Sequence, residues 1–375
     1  MNYLFLSFLA TFSGVAAAAY LLKHTSATLR TGVIKQTQVE GPQGAFRGLL
    51  AISVFIHHQD FVRGWMQSGG WGSSNRFILL LGHGAVFLFL MITGYVFCLK
   101  AKATGGKMSW PKLVASRICR LAPAYYFSLC LVLVQCGPPL LAAPFLVSLE
   151  FLLRTLGVGF VWWSEVPGLQ TTTLNGHVHF ILFYQWCFFL VMPILAWCCV
   201  GRRFPPFFIL LSTLLVLAQR QLGASVWWLA FLPGILIAQI QLPETAHNFM
   251  TDWRGCFAAL GWAVVVLASG GIRWMQFELL AVVPLLWVVA SGNSLFGLLN
   301  WEPLRIIGKI SYSFYLLHVI VIMAMARLVR IWLVGQMPGF LTWGVLIFVA
   351  TILISLLSAV CWRWIEEPFR KSSAS

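Results

Sequence analysis

The sequence predicts an all-α fold, a polytopic transmembrane helical bundle of about 10–11 spans. Of its 375 residues, 60% are hydrophobic and 9% are charged, whereas about a quarter of the residues in a soluble domain are charged. The apolar runs are about 15–22 residues long, which suits membrane-spanning helices and not the alternating strands of about ten residues in a membrane barrel. We therefore expect an integral membrane protein surrounded by membrane lipids.

Eleven apolar segments cover most of the chain, and each is predicted to be a helix. They lie at roughly 3–22, 47–62, 77–99, 121–140, 177–200, 205–219, 226–240, 255–270, 277–291, 310–331 and 340–361. The segments 205–219 and 226–240 are short for a span and are expected to be tilted, broken or half-spanning. Residues 138–176 hold a further apolar piece with Glu150 and Arg154, which predicts an interfacial helix or part of a cavity lid.

The distribution of basic residues predicts the orientation in the membrane. The chain carries 25 Lys and Arg against 10 Asp and Glu, a formal net charge of +15. With the N-terminus outside, most of these basic residues fall in inner loops, as expected because basic loops are retained in the cytoplasm. The C-terminus is then cytoplasmic. No soluble segment interleaves like charges with aromatic residues, so nucleic acid is not an expected partner.

The chain is predicted to have three parts. Residues 1–40 form an extra N-terminal span and a cytoplasmic linker, residues 41–371 form the main membrane domain, and residues 372–375 form a cytoplasmic tail. Basic residues follow the first apolar run, which fits an uncleaved span better than a signal peptide. Most of the nine cysteines lie in apolar runs without CxxC spacing, so neither a metal site nor a disulfide framework is expected.

Residues 46–60, FRGLLAISVFIHHQD, place ionisable groups in an apolar segment. Arg47 and His58 are 11 residues apart, so they share a helix face and lie about 16 Å apart along its axis. An imidazole is suited to accept a proton near neutral pH, and an ionisable group within a membrane is a functional candidate. The alternative is an anchoring Arg47 and a His58 bonded to a neighbouring helix. Asp60 either orients a histidine or simply starts the next loop.

A second candidate lies in SRICRLAPAYY (116–126). Arg117 and Arg120 are three residues apart and are therefore neighbours on one helix face. Two guanidinium groups at the inner mouth of a membrane protein form a fork that binds phosphate or carboxylate. Retention of basic residues in the cytoplasm is the alternative. It explains less well why the arginines continue into the helix while the lysines stay in the preceding loop.

Three further histidines and four tryptophans are weaker candidates. His177 and His179 lie at the predicted outer end of a span, and are either acceptor-binding residues or ordinary interfacial histidines. His318 lies inside a span, where it either bonds across helices or lines a cavity. Four tryptophans are expected at the membrane interface in preference to a role as sugar platforms: Trp162, Trp163, Trp227 and Trp228.

Five motifs occur in order along the chain. They are the Arg47-to-His58 stretch, HGAVFLFLMITGYVF (83–97), the Arg117/Arg120 pair, KISYSFYLLHVIV (309–321) and CWRWIEEPFRK (361–371). Together they resemble the acyltransferase-3 family of polytopic membrane acyltransferases. Members O-acylate sugars of lipopolysaccharide, capsule, peptidoglycan, Nod factors and antibiotics. The resemblance covers about residues 44–371, and it makes the main membrane domain acyltransferase-3-like.

The resemblance implies an enzyme that transfers acyl groups other than aminoacyl groups. It makes His58 and Arg47 the catalytic residues, with His58 as general base or, alternatively, as nucleophile, and it makes Arg117 and Arg120 the donor-binding pair. It further implies acyl-CoA, most often acetyl-CoA, as co-substrate without a bound cofactor or metal, and a glycan or lipid-linked sugar outside the bacterial inner membrane as acceptor. The stretch NGHVHFILFYQW (175–186) departs from the family's GHLWFL form, because His179 stands in the tryptophan position.

Two other functions are compatible with the sequence. A transporter or flippase for a lipid-linked sugar would use Arg47 and His58 as a proton-coupled gate. Such proteins usually have paired halves with broken helices in matching positions, and no such symmetry is visible. A non-catalytic membrane scaffold is less expected, because ionisable groups inside a membrane are costly.

Overall fold

The computed structural model describes residues 3–25, 41–161, 172–201, 204–221, 225–269 and 275–372. Within these ranges the regular structure is helical and contains no strand. In chain order the α-helices are α1 (Tyr3–Thr25), α2 (Gly41–Ser68), α3 (Arg76–Ala103), α4 (Trp110–Ala142), α5 (Phe145–Thr155), α6 (Thr172–Asn175), α7 (Phe180–Cys198), α8 (Phe204–Gln221), α9 (Phe231–Gln239), α10 (Glu244–Thr251), α11 (Trp253–Ala268), α12 (Met275–Ala290), α13 (Glu302–Lys309), α14 (Ser311–Trp332), α15 (Phe340–Cys361) and α16 (Glu367–Ser372).

Each of the eleven predicted apolar segments coincides with a helix. Of the alternatives expected for 226–240, the structure shows a change of helix type, because a 3₁₀ helix at Val226–Ala230 precedes α9. Within 138–176, α5 carries an exposed ion pair in which Arg154 Nε lies 2.8 Å from Glu150 Oε1. Trp162 and Trp163 lie outside the described residues.

Seven helices of the described chain are long and apolar enough to cross a membrane: Tyr3–His24, Arg76–Ala103, Trp110–Gly137, Phe180–Cys198, Phe204–Gln221, Ser311–Trp332 and Phe340–Arg370. Three shorter apolar helices lie at Val226–Gln239, Trp253–Ala268 and Met275–Ala290. Helix α2 is 28 residues long but interrupts its apolar sequence with several polar residues. These helices confirm the all-α polytopic bundle, while the number of crossings stays a prediction.

The described helices form two compact units. The first takes the described parts of Met1–Gly82, Ser116–Phe183 and Trp301–Ser375, and the second takes those of His83–Ala115 and Tyr184–Asn300. All eight candidate site residues from the sequence belong to the first unit.

Close backbone contact fixes α2 in the first unit. A Cβ atom on Gly308 would overlap the carbonyl oxygen of Gly44, and one on Gly48 would overlap that of Leu304. Glycines at these positions let α2 and α13 approach as small residues do in membrane helix pairs. The contact places Arg47 on α2 beside the end of α13 and the start of α14.

The N-terminal helix is an integral part of the first unit. It packs along α15, where Trp343 Nε1 donates to Ser7 Oγ at 3.2 Å. At its other end Lys23 forms an ion pair of 2.5 Å with Glu302 on α13. The predicted linker that follows lies largely outside the described residues, which resume at 41.

The second unit also contains a close helix contact and a hydrogen bond to a buried carboxyl group. A Cβ atom on Gly234 of α9 would overlap the carbonyl oxygen of Met91 of α3. Glu278, which is 6% exposed, accepts a hydrogen bond of 2.8 Å from His83 Nδ1. This pair links α12 to α3.

Candidate active site

Two buried histidines meet between α2 and α14. Nδ1 of His58 lies 3.1 Å from Nε2 of His318, and the two residues are 7% and 0% exposed. Of the two alternatives for His318, the structure therefore has a contact across helices. The contact restricts rotation of both rings. A directed proton transfer requires such a fixed ring orientation.

Backbone carbonyl groups around the pair favour one arrangement of protons. Nδ1 of His318 faces the carbonyl oxygen of Phe314 at 3.3 Å, so its proton belongs on Nδ1 and its Nε2 is an acceptor. Nδ1 of His58 faces this Nε2 and the carbonyl oxygen of Val54, which is 3.0 Å away. Since both neighbours are acceptors, a proton on Nδ1 of His58 satisfies them. The ring has a further hydrogen-bond contact with the backbone of Gly176, which lies next to Nε2. With the proton on Nδ1, Nε2 carries the lone pair.

The turn after α6 packs against Nε2 of His58. A Cβ atom on Gly176 would lie 2.9 Å from Nε2, and Gly176 has a φ of 63°. Both facts favour glycine at this position, because other residues adopt such a φ less readily. Tyr315 on α14 donates a hydrogen bond of 2.9 Å to the carbonyl oxygen of Val178, which ties the turn to the helix that carries His318.

Asn175 is the observed partner of both histidines on this turn. Nδ1 of His179, a residue that is 2% exposed, lies 3.2 Å from Asn175 Nδ2. The backbone N–H of His177 donates to Asn175 Oδ1 at 3.1 Å. His177 itself has a φ of 56°. These two histidines thus belong to the same turn as Gly176.

Asp60 and His57 bind the segment that follows α2. Asp60 Oδ2 accepts a hydrogen bond of 2.5 Å from Ser73 Oγ, so the observed partner of this carboxylate is a loop hydroxyl and not a histidine. Nδ1 of His57 lies 2.8 Å from the carbonyl oxygen of Ile78. Its ring occupies the space that a Cβ atom on Gly82 would need. Asp60 therefore holds the loop after α2, and His57 packs against the first turns of α3.

A second group of polar residues surrounds a cavity at the Arg47 end of α2. The cavity has a volume of about 50 Å³, which is room for roughly three or four water molecules. Its lining comes from α2, α4, the α13–α14 corner and the C-terminal helices, and consists of Arg47, Arg120, Gly308, Lys309, Ser311, Tyr312, Glu366 and Arg370. Arg117 lies about one turn before Arg120 on the same helix, α4.

The lining is strongly positive. Its four basic side chains and one carboxylate give a formal charge of 4 − 1 = +3 when all are ionised. The carboxylate is Glu366, which is 3% exposed and accepts a short hydrogen bond from Ser313 Oγ. Like charges held this close repel each other in a medium of low dielectric constant. A ligand with several negative charges would relieve the repulsion, and guanidinium groups are suited to bind phosphate.

The sequence predicted two of the three arginines that line the cavity, Arg47 and Arg120, and missed the other charged lining residues. Lys309, Glu366 and Arg370 all lie in the two C-terminal motifs that contributed to the family resemblance. Their positions in the sequence do not indicate that they lie close to Arg120 in the fold. The C-terminal motif contains two glutamates among its basic residues, and this was the available sign that the segment contributes to a charged site.

Comparison with known proteins finds a family model that covers most of the chain. A family model described as an acyltransferase domain matches residues 44–360, and it is the acyltransferase-3 model. No curated protein and no solved structure matches the chain.

Proposed function

The chain belongs to the acyltransferase-3 family and is a membrane acyltransferase, and from this premise we propose that it moves an acyl group from acyl-CoA to a hydroxyl group of a glycan or glycolipid. One observation carries the proposal: helix α2 carries both His58, which pairs with the buried His318, and Arg47, which lines a cavity of basic residues. Arg47 and His58 lie about 16 Å apart on one face of this helix. That distance is about half of the hydrocarbon thickness of a bilayer.

The positive cavity binds the donor in this proposal. Coenzyme A carries several phosphate groups that cannot enter lipid, so they stay at an aqueous mouth. Arg47, Arg120 and Arg370 bind them with guanidinium groups, which match phosphate in geometry as well as charge. The pantetheine arm, whose extended length is of the order of the Arg47–His58 separation, lies along α2 and brings the thioester towards His58. The acyl group is acetyl.

His58 is the general base in the transfer step. Nε2 takes the proton of the acceptor hydroxyl while the hydroxyl oxygen attacks the thioester carbonyl carbon. The new C–O bond forms, the C–S bond breaks, and the proton passes from His58 to the departing thiolate, which leaves as free coenzyme A. His318 acts through His58, because its Nε2 accepts the Nδ1 proton and keeps the ring oriented.

The location follows from the same arrangement. The residues that line the cavity are ones that the charge distribution assigns to the cytoplasmic side, where acyl-CoA is made. His58 lies further along α2, towards the outer side, where lipid-linked glycans are presented. We therefore propose a bacterial inner-membrane enzyme with its N-terminus outside and its C-terminus in the cytoplasm.

The test uses purified protein in proteoliposomes with [¹⁴C]acetyl-CoA and a panel of methyl hexopyranosides and envelope glycans. Wild type is expected to label an acceptor, and His58→Ala is expected to label none. The matched control is His247→Ala, because His247 is an exposed histidine on α10. Label transfer by His58→Ala would overturn the role of this residue. Movement of a lipid-linked sugar across the bilayer without acylation would favour a flippase.

A further inference from the structure

A tryptophan outside the predicted candidates lies next to the proposed base. The Trp71 ring centroid is 6.2 Å from that of His58, with an angle of 35° between the ring planes. It is also 5.7 Å from the ring of Phe61, which it meets edge to face at 70°. Phe61 follows His58 by three residues on α2, so the chain after α2 folds back and sets Trp71 on the same helix face.

The fold-back is held by its own hydrogen bonds. Asp60 on α2 accepts the hydroxyl of Ser73 at 2.5 Å, and Ser73 Oγ accepts the backbone N–H of Asn75 at 3.0 Å. Asn75 Oδ1 in turn accepts the backbone N–H of Phe77 at 3.0 Å, which caps the start of α3. A hydrogen bond to a carboxylate is among the stronger ones in proteins. The position of Trp71 is thus set before any ligand arrives.

Trp71 has a free donor and open surroundings. The indole is partly exposed, and its N–H makes no hydrogen bond with the described residues. Gly70 and Gly72 flank it in the chain. A Cβ atom on Gly72 would meet nothing within 4 Å, and one on Gly70 would meet only the Ser68 hydroxyl oxygen, at 3.3 Å. Trp71 thus has the features of a ligand-binding surface. Its loop is held by hydrogen bonds, its side chain is partly exposed, and its indole N–H is available to a ligand.

We propose that Trp71 is the acceptor subsite and binds a pyranose ring, an inference that rests on the proposed acyl transfer. The apolar face of the sugar lies on the indole at van der Waals distance, about 3.5–4.0 Å. The indole N–H donates to a ring substituent. A hydroxyl at the edge of the sugar then reaches Nε2 of His58.

Asp60 contributes to the choice of acceptor. Its carboxylate sits beneath the loop that carries Trp71 and disfavours a second negative charge nearby. The subsite therefore suits a neutral hexopyranose better than an acidic sugar. This gives Asp60 a positioning role for the acceptor in place of the histidine-orienting role considered from the sequence.

The test separates sugar binding from acyl transfer. Equilibrium binding of tritiated methyl glucopyranoside and methyl galactopyranoside is measured beside transfer kinetics for wild type, Trp71→Ala and Trp71→Phe. Trp71→Ala is expected to raise the acceptor KM and the sugar Kd about tenfold, which is about 1.4 kcal/mol, without a change in the Kd of acetyl-CoA. Trp71→Phe is expected to lose less. The control is Trp332→Ala, because Trp332 ends α14 and is 74% exposed.

The outcomes distinguish the two proposals. If wild type transfers label and Trp71→Ala keeps the wild-type acceptor KM and sugar Kd, the subsite is wrong and the acyl transfer stands. If wild type binds sugar through Trp71 but transfers no label, the sugar subsite stands and the proposed reaction is wrong. An equal rise of the acceptor KM and the sugar Kd in Trp332→Ala would also overturn the subsite. The effect would then not depend on the position of the tryptophan next to His58.

Discussion

Nε2 of His318 lies 3.1 Å from Nδ1 of His58, although 260 residues separate the two histidines in the chain. A buried imidazole needs a partner for its N–H, and here the partner is another imidazole and not a carboxylate. An uncharged partner orients the ring without placing a negative charge in the apolar interior, where charge is costly. The pair therefore gives the proposed base a fixed direction at a low cost in desolvation.

The first prediction concerns this partner. Replacing His318 by leucine is expected to lower kcat at least about 100-fold, because the His58 ring loses the acceptor that orients it. The Kd of acetyl-CoA is expected to stay unchanged, since the cavity lining does not include His318. Transfer kinetics and equilibrium binding of the donor measure the two quantities.

A conservative variant distinguishes positioning from packing. His318→Gln keeps an amide oxygen that can accept the Nδ1 proton of His58, so part of the lost rate should return. His247→Leu on the exposed face of α10 serves as the control and should behave as wild type. Equal losses in the glutamine and leucine variants would contradict an orienting hydrogen bond.

The second prediction concerns the positive cavity. Arg120→Gln is expected to raise the Kd of acetyl-CoA about tenfold or more, because hydrogen bonds to charged groups contribute about 1.5–3 kcal/mol each. Arg120→Lys should recover only part of this affinity, since lysine keeps the charge and loses the planar fork. Isothermal titration of acetyl-CoA at two salt concentrations gives the Kd values and their expected weakening with salt.

Arg254 supplies the control for the cavity. It lies on α11 in the second unit, and its side chain is 64% exposed. Arg254→Gln removes one positive charge from the protein but none from the cavity. A comparable rise in Kd for this variant would mean that overall charge, and not the cavity, holds the donor.

Much of the fold could be predicted from the sequence, because lipid imposes it. A helix that crosses a membrane must be apolar and about 20 residues long. The eleven apolar segments therefore predicted where the helices lie. The shared face of Arg47 and His58 followed from helical periodicity alone. The shortness of the segment at 226–240 indicated an irregular span, whereas its 3₁₀ start was not predicted.

The contacts that complete the site could not be predicted in this way. Periodicity relates residues within one helix, whereas His318 reaches His58 from another helix through tertiary packing. Trp71 was missed because its place depends on the Asp60–Ser73 hydrogen bond, which reverses the chain after α2. Tryptophan in a membrane protein otherwise predicts only a position near the interface.

The third prediction concerns the carboxylate among the basic residues. Glu366→Gln is expected to raise the formal charge of the cavity lining from +3 to +4. Loss of one partner from a buried group of charges costs about 3 kcal/mol, so the variant should unfold at a lower temperature in detergent. Because a bound anion replaces the missing charge and ligands stabilise the state they bind, coenzyme A should restore more stability to this variant than to wild type.

Glu150→Gln is the matched change at the surface. Its ion pair with Arg154 is exposed, with side chains 53% and 43% accessible, and such pairs contribute at most about 1 kcal/mol. Little change in the melting temperature is therefore expected, with or without coenzyme A. A Glu366→Gln protein that melts like this control would show that the carboxylate does not balance the cavity.

The last prediction concerns the glycine contact that positions Arg47. Gly308→Ala would drive a methyl group into the carbonyl oxygen of Gly44, and backbone cannot move aside as the end of a flexible side chain can. We expect a loss of stability of about 3 kcal/mol, together with weaker binding of acetyl-CoA because α2 and α13 carry opposite walls of the cavity.

Gly261→Ala is the control, and it is expected to raise the stability slightly. A Cβ atom there meets nothing within 4 Å, and alanine favours a helix over glycine by about 0.5–1 kcal/mol. Thermal unfolding should therefore move down for the first variant and slightly up for the second. A neutral Gly308→Ala would mean that the two helices separate without harm, and the close contact would then not be what holds Arg47 at the cavity.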